Sequence, residues 1–382
     1  MANMMKSFPQ VRRNQGFSLV EIMVGVTIGL IGVVVIFQVL TSWDARRRST
    51  TAGGDAQIAG TIAMFRLEQD LRQAGMGFGT ADTTIMGCPV TASYSGAAIT
   101  APTFQLYPVQ IIPGATGTPD RIITLYGNSS FLTDTQSFTA STNTTKKTQT
   151  RNGFQAGDVV VVAGNGTAAP ASATCALVEV SSTANADGYS FDHVNSSYTN
   201  FYTSAAVTPL FNPSGGTGTT FTTGFLYSLG PAPQRNDWQI QNGRILTSTD
   251  RLRNGAAVEI AEGIISLQAE YGVDSNNDNL ITDGSGSPAT PDEWTTTTPT
   301  DWTKVRAIRV ALLARSRQFE RNPVTTTAPV WARGAFVMTN LDGSAQATSP
   351  ANPADNWRNY RYRVYEKVIP LRNMIWGTSP VL

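Results

Sequence analysis

Few side chains in this sequence have both the type and the setting for chemistry. Glu21 is the one ionisable group in the apolar run FSLVEIMVGVTIGLIGVVVIFQVL, Phe17 to Leu40. A carboxylate at a bilayer centre costs on the order of 2.5–3.5 kcal/mol, less near the interface, and such residues are functional candidates by default. Asp274, Asn276 and Asp278 alternate within DSNNDNLITDGS, residues 274–285. Together with the Leu280 carbonyl and Asp283, that alternation can aim several hard oxygens at one Ca²⁺. Position 6 of the loop is Asn279 rather than Gly, and position 12 is Ser285 rather than a bidentate Glu. The competing reading is a hairpin loop whose Asn and Asp side chains cap their own backbone. Cys88 and Cys175 are the only cysteines. In an oxidising compartment they are expected to pair, closing a loop worth roughly 4–5 kcal/mol in the chain-entropy model; otherwise they are two buried thiols.

Other chemistry is excluded by composition. One histidine and two cysteines are too few for a tetrahedral Cys/His zinc site. His193, in FDHVNSSY, reads as an exposed loop residue rather than a base. No P-loop, G-x-S-x-G or H-E-x-x-H occurs. No enzyme is indicated, and no cofactor is required beyond the Ca²⁺ that the 274–285 loop could take. Lys plus Arg number 28 against 27 Asp plus Glu. That balance argues against a nucleic-acid partner, which would need a basic excess. A hydrophobic content of 41% with 7 Trp and 16 Phe excludes wholesale disorder.

The elements that must position these residues begin with a short basic leader, 1–16, carrying Lys6, Arg12 and Arg13. The apolar run of residues 17–40 is long enough, at about 1.5 Å per residue, to cross a hydrocarbon core of about 30 Å. The basic leader predicts a cytoplasmic N-terminus and an exported remainder. The run is too long for an ordinary secretory signal and has no small-x-small cleavage site. Residues 41–79 continue the helix as an amphipathic stalk: Ile58, Ile62 and Phe65 fall at i, i+4 and i+7, and Leu67 and Leu71 extend an apolar side. Gly53-Gly54 is expected to kink or melt it. Arg66, Glu68, Asp70 and Arg72 read as its solvated face, and Gly75, Gly77 and Gly79 as its stop.

From residue 80 onward, short alternating runs are bounded by turn residues. Strands are expected at Thr103–Tyr107, Arg121–Tyr126, Asp158–Ala163, Ala176–Ser181, Phe221–Ser228, Ala257–Ala261, Ile265–Tyr271, Val305–Ala314 and Tyr360–Pro370. The segment Asp283–Trp302 reads as a surface loop. The fold class is therefore α+β: one long N-terminal helix, then a head of antiparallel sheets over residues 80–382 with a soft internal boundary near 212–235.

The stretch GFSLVEIMVGVTIG resembles the N-terminal signature of type IV prepilins and pseudopilins, in which a basic leader ends in Gly ahead of Phe or Met and Glu stands fifth in the hydrophobic stretch. RLEQDLRQAGMGFG (66–79), KVRAIRVALLARS (304–316) and YRVYEKVIPLRN (362–373) are similar to segments of the PilW family of minor pilins. The resemblance implies a pilin-like fold, cleavage between Gly16 and Phe17 by a prepilin peptidase, and N-methylation of Phe17. It implies assembly through the helix, where Glu21 of one subunit can pair with the new Phe17 amine of a neighbour. Implied partners are other minor pilins, the major pilin, the peptidase, the inner-membrane assembly platform and membrane lipid. The expected location is a single pass of the inner membrane with a periplasmic head, and then the pilus. The expected role is priming of pilus assembly at or near the tip; the alternatives are a large tip pseudopilin of a type II secretion system and a membrane-anchored adhesin.

Overall fold

Ser18 is a helix-capping residue, and the side chain accepts a hydrogen bond from the Val20 N–H at 3.3 Å. Behind it, Leu19–Gln73 form one helix, α1. The computed structural model describes residues 16–81, 83–131, 134–151, 153–164, 174–183, 185, 187–217, 221–284 and 291–377. The leader before Gly16 and Ser285 lie outside the described residues. Helical structure runs through Gly53-Gly54, so the helix does not melt there. Each glycine costs only about 1 kcal/mol against alanine, and a long helical stretch follows to offset it. The helix stops where the glycines predict: Gly75 and Gly77 take positive φ, +83° and +94°. The chain divides into two compact units, residues 1–52 and 53–382.

The second unit is built on three sheets. The first has seven strands in the order Val90–Thr91, Cys175–Glu179, Val159–Gly164, Gly224–Gly230, Gln136–Ser141, Thr145–Thr148, Ser190–Asp192. The second has five: Val258–Glu262, Ile245–Asp250, Gln234–Gln241, Arg121–Tyr126, Val109–Ile112. The third has four: Trp294–Thr295, Ile264–Val273, Val305–Arg315, Tyr362–Pro370. All pairings in them are antiparallel except Val90–Thr91 with Cys175–Ala176. Two expectations fail. Thr103–Tyr107 contributes only a bridge from Gln105 to Pro89. The segment Asp283–Trp302 carries the strand Trp294–Thr295 and buries Glu293, Trp294 and Trp302, because Trp302 stacks with Tyr107 and meets Tyr271 edge-on.

The short parallel pair is where the disulfide sits. Cys88 and Cys175 are bonded and buried, and the Cys175 N–H donates to the Pro89 carbonyl. Three apolar clusters fill the unit. The largest joins the C-terminal part of α1 and Ala74 to the second and third sheets and to one face of the first; another, around Phe138, Phe154, Phe191 and Phe221, lies on the opposite face of the first sheet.

His193 corrects the sequence reading. It is fully buried at 0% exposure, not exposed, because it follows directly on the strand Ser190–Asp192 and its N–H donates to the Thr144 carbonyl. Its Nε2 stands 2.9 Å from Nζ of Lys146, itself buried and bonded to the Thr142 carbonyl at 2.7 Å. Among the described residues Lys146 forms no ion pair. The nearby charges are engaged elsewhere: Lys147 with Asp187, and Asp192 with the Thr145 hydroxyl. Burial pulls Lys146 down to about 8 from 10.5, and burial together with the Lys146 charge pulls His193 down to about 3. Between these two Lys146 values the unfolded chain binds a proton that the folded chain does not, so stability rises with pH across the interval. Thermal unfolding followed from pH 7.5 to 10.5 is expected to show Tm climbing with pH more steeply in the natural protein than in Lys146→Met. Equal slopes would show that the ammonium is compensated.

Candidate functional site: the N-terminal helix and its seat

Gly16 and Phe17 precede the first helical turn, and Phe17 is 79% exposed. The expected cleavage junction therefore lies ahead of the helix and is exposed. Glu21 lies in the first turn, exposed, where the positive end of the helix dipole favours a carboxylate. Ser18 and Glu21 also have capping-box spacing, a local signal that the sequence reading did not use. From Leu19 to Trp43 the helix has a mean hydropathy of 2.6, and none of its residues is buried within the chain. The hydroxyls of Thr27, Thr41 and Ser42 bond to carbonyls one turn back, which suits an apolar solvent that offers no partners.

The C-terminal part of α1 and Ala74, just after it, are seated on the head through Ala56, Gly60, Ala63, Leu67, Leu71 and Ala74, all buried. The seat is close. A Cβ at Gly60 would come within 2.0 Å of the Tyr365 ring. Tyr365 donates its hydroxyl to the Gln57 carbonyl at 2.9 Å, and Arg363 reaches the Gln57 side chain at 3.0 Å.

Glu68 and Asp70 are not the solvated face that the sequence suggested. Glu68 is nearly buried and pairs with Lys367 at 2.6 Å and with Arg72. The Lys367 bond holds the Glu68 carboxyl below its ordinary range. Asp70 accepts from the Tyr126 hydroxyl at 2.9 Å, Asn236 at 2.8 Å and the Trp238 indole at 2.9 Å. Burial raises its pKa, and those three donors oppose the shift. Ile58, Ile62 and Phe65 are not the buried side either; they are 61%, 44% and 61% exposed. They lie on the face of α1 opposite the buried stripe.

The 274–283 loop follows directly on the strand Ile264–Val273. Asp274 is buried and accepts from the N–H groups of Asp278 and Asn279, both at 3.1 Å, with Arg306 at 3.4 Å. Asn276 accepts from the Asp278 N–H at 3.0 Å, and Asp278 from the Leu280 N–H at 2.8 Å. Asn277 and Asn279 have left-handed φ, +62° and +64°. Leu280 points its side chain to solvent, and Asp283 bridges to Asp292. Glu293, which sequence reasoning passed over, closes the loop by accepting from Ser275 and Thr282. Among the described residues, no three His, Cys, Asp or Glu side chains converge to hold a metal ion.

Asp70→Ala leaves three donors without their acceptor and is expected to cost about 3 kcal/mol in denaturant unfolding. Asp70→Asn, which keeps one oxygen, is expected to cost less. Equal losses in the two variants would mean that the carboxylate oxygens do not hold the helix.

No curated protein and no solved structure matches the chain. Residues 245–373 match the family model of the type IV pilus-assembly protein W, and residues 11–37 match the prokaryotic N-terminal methylation motif. The first match covers the strand that carries Tyr365 and Lys367, and the second covers Phe17 and Glu21. Over residues 245–373 the chain is similar to the type IV pilus-assembly protein W family, and at its N-terminus it carries a match to the prokaryotic N-terminal methylation motif.

Proposed function

We propose that this protein is a minor pilin that primes pilus assembly and stays at or near the tip. The observation that carries the reading is apolar surface that one chain does not cover. It comprises the helix from Leu19 to Trp43 on all sides, and the outer stripe Ile58, Ile62 and Phe65 further along. Lipid suits the first before assembly, and neighbouring pilin helices suit both afterwards. In this reading prepilin peptidase cuts between Gly16 and Phe17 on the cytoplasmic side and methylates Phe17. The head is periplasmic, and the platform of the inner membrane delivers the subunit to other minor pilins and the major pilin. Glu21 of one subunit pairs with the amine of Phe17 in the next; two charges that compensate each other in an apolar bundle select one stagger over others. Residues 17–382 form a bulky subunit, which suits a low-copy end position better than a tightly repeated shaft.

Intact mass and N-terminal sequence of the protein from cells with and without the peptidase test the processing. The expected product starts at N-methylated Phe17 and depends on the peptidase. A Met1 start in both strains would overturn the reading and leave an anchored adhesin. Glu21→Ala is expected to keep membrane insertion and reduce surface pili at least tenfold, read by counting pili and by fractionation. Normal piliation would remove the pairing from the mechanism. Intact pili with lost protein secretion on deleting the gene would assign the chain to a type II secretion system instead.

A further inference from the structure

The five-stranded sheet carries an unusual charge cluster on one face. Register places Arg235 and Asp237 two residues apart on their strand, with Thr249 directly across from Asp237 and Ile123 on its other side. Arg121, two residues before Ile123, and Arg251, whose N–H donates to the Arg235 carbonyl, complete the face. Asp237 is fully buried and takes both flanking guanidiniums, Arg121 through Nε at 2.5 Å and Arg251 through Nε at 2.7 Å. Arg235 is buried as well, but it has no carboxylate of its own. Its Nη2 donates to the carbonyls of Pro102 and Thr103, and its guanidinium lies 4.5 Å from the centre of the Phe104 ring.

Three guanidiniums thus lie on one face with a single carboxylate, which bonds two of them. The neighbouring acids are turned to other partners: Asp120 accepts from the N–H groups of Gly114 and Ala269, and Asp250 pairs with Arg253. Among the described residues, two buried atoms on this face have no hydrogen-bond partner, Nη1 of Arg235 and Oγ1 of Thr249. Burial lowers the Arg235 pKa to about 10; Asp237 opposes the shift, while Arg251 and Arg121 add to it by repulsion. A buried cation with an unused donor is costly until an anion meets it. Arg121 and Arg251 are each more than a quarter exposed, so the cluster is open to solvent at its flanks.

We infer that this face is an oxyanion site, in which Arg235 Nη1 and the Thr249 hydroxyl hold a phosphate, sulfate or carboxylate group beside the Arg121–Asp237–Arg251 pairs. Guanidinium forks fit such oxygens in pairs, and the hydroxyl adds a neutral donor. The Asp237 carboxylate bonds Arg121 and Arg251 and offsets one of the three cations, leaving two net positive charges for the ligand.

Thermal unfolding of the full chain in detergent tests this, in sodium phosphate, sodium acetate and sodium chloride at matched ionic strength. Phosphate is expected to raise Tm by several degrees over chloride and to saturate in the millimolar range. Arg235→Met, which keeps the stem and removes the charge, leaves the Pro102 and Thr103 carbonyls without their donor, so it is expected to melt lower than the natural protein in chloride and to show no phosphate response. Thr249→Val is expected to weaken the response severalfold while leaving the chloride Tm within a few degrees. A rise in acetate equal to that in phosphate would assign the site to carboxylates, such as those of acidic side chains on a partner. The proposal is overturned if neither anion raises Tm, or if the rise is the same in the natural protein and in both variants, which would be general salt exclusion.

Discussion

The close approach of α1 to the strand Tyr362–Pro370 requires that residue 60 have no side chain. With glycine there, the Tyr365 ring lies against the helix backbone. That approach in turn brings Gln57 to Tyr365 and Arg363, and Glu68 to Lys367. Each of these contacts joins residues some 300 apart in sequence, so the last long strand closes a fold begun by the first helix. Ordering so long a loop is a slowly growing entropic cost, and it is met by one contiguous apolar seat rather than by scattered contacts. The segment matching the pilus-assembly family, 245–373, supplies the strand side of that seat. The helix and the family segment are therefore halves of one arrangement.

Asp70 does for the five-stranded sheet what Gly60 does for the four-stranded one. Dispersion and burial hold a helix against a sheet but leave it free to slide or turn, because apolar contacts are not directional. A carboxylate that takes three donors from two strands has a fixed position and direction. One turn later the helix ends, and the Gly75 N–H donates to the Leu125 carbonyl in that same sheet. A positive φ at Gly75 is what lets the chain turn there.

Much of this was legible. Strand Arg121–Tyr126 has the bounds that alternation and its flanking turns indicate, and the Val-rich run at Val159–Gly164 and the long strand Val305–Arg315 lie within a residue or two of their expected ends. The glycine stop of α1 was readable from composition alone. The hairpin Gln234–Gln241 with Ile245–Asp250 was not, although Asn242-Gly243, with φ of +51° and +67°, is the standard signal for a tight hairpin turn. Its strands, QRNDWQIQ and ILTSTD, carry polar residues on both faces, since one face takes Asp70 and the other the arginine cluster. Polar side chains that bond to one another erase the alternation on which strand recognition rests. His193 and Asp70 were misplaced for a related reason: composition marks such residues as solvated, and only tertiary partners make their burial tolerable. The 274–283 loop was legible as an oxygen-rich turn, but Arg306 and Glu293 reach it from elsewhere in the fold.

The two apolar stripes of α1 have different physical meanings. At about 100° per residue, Ala56, Gly60, Ala63, Leu67 and Leu71 fall on one side, and Ile58, Ile62 and Phe65 fall nearly opposite. An ordinary surface helix has one apolar stripe and one polar face. The inner stripe here is made mostly of small residues and leucine, which bring a sheet close. The outer one is made of large side chains that one chain leaves in water. Fully burying an Ile or Phe is worth roughly 1.5–3 kcal/mol, so these three, each about half exposed, together forgo roughly 2–5 kcal/mol. A sequence that keeps them there stabilises something other than the lone subunit. Packing between subunits, as proposed above, would cover this stripe and, separately, the Leu19–Trp43 segment.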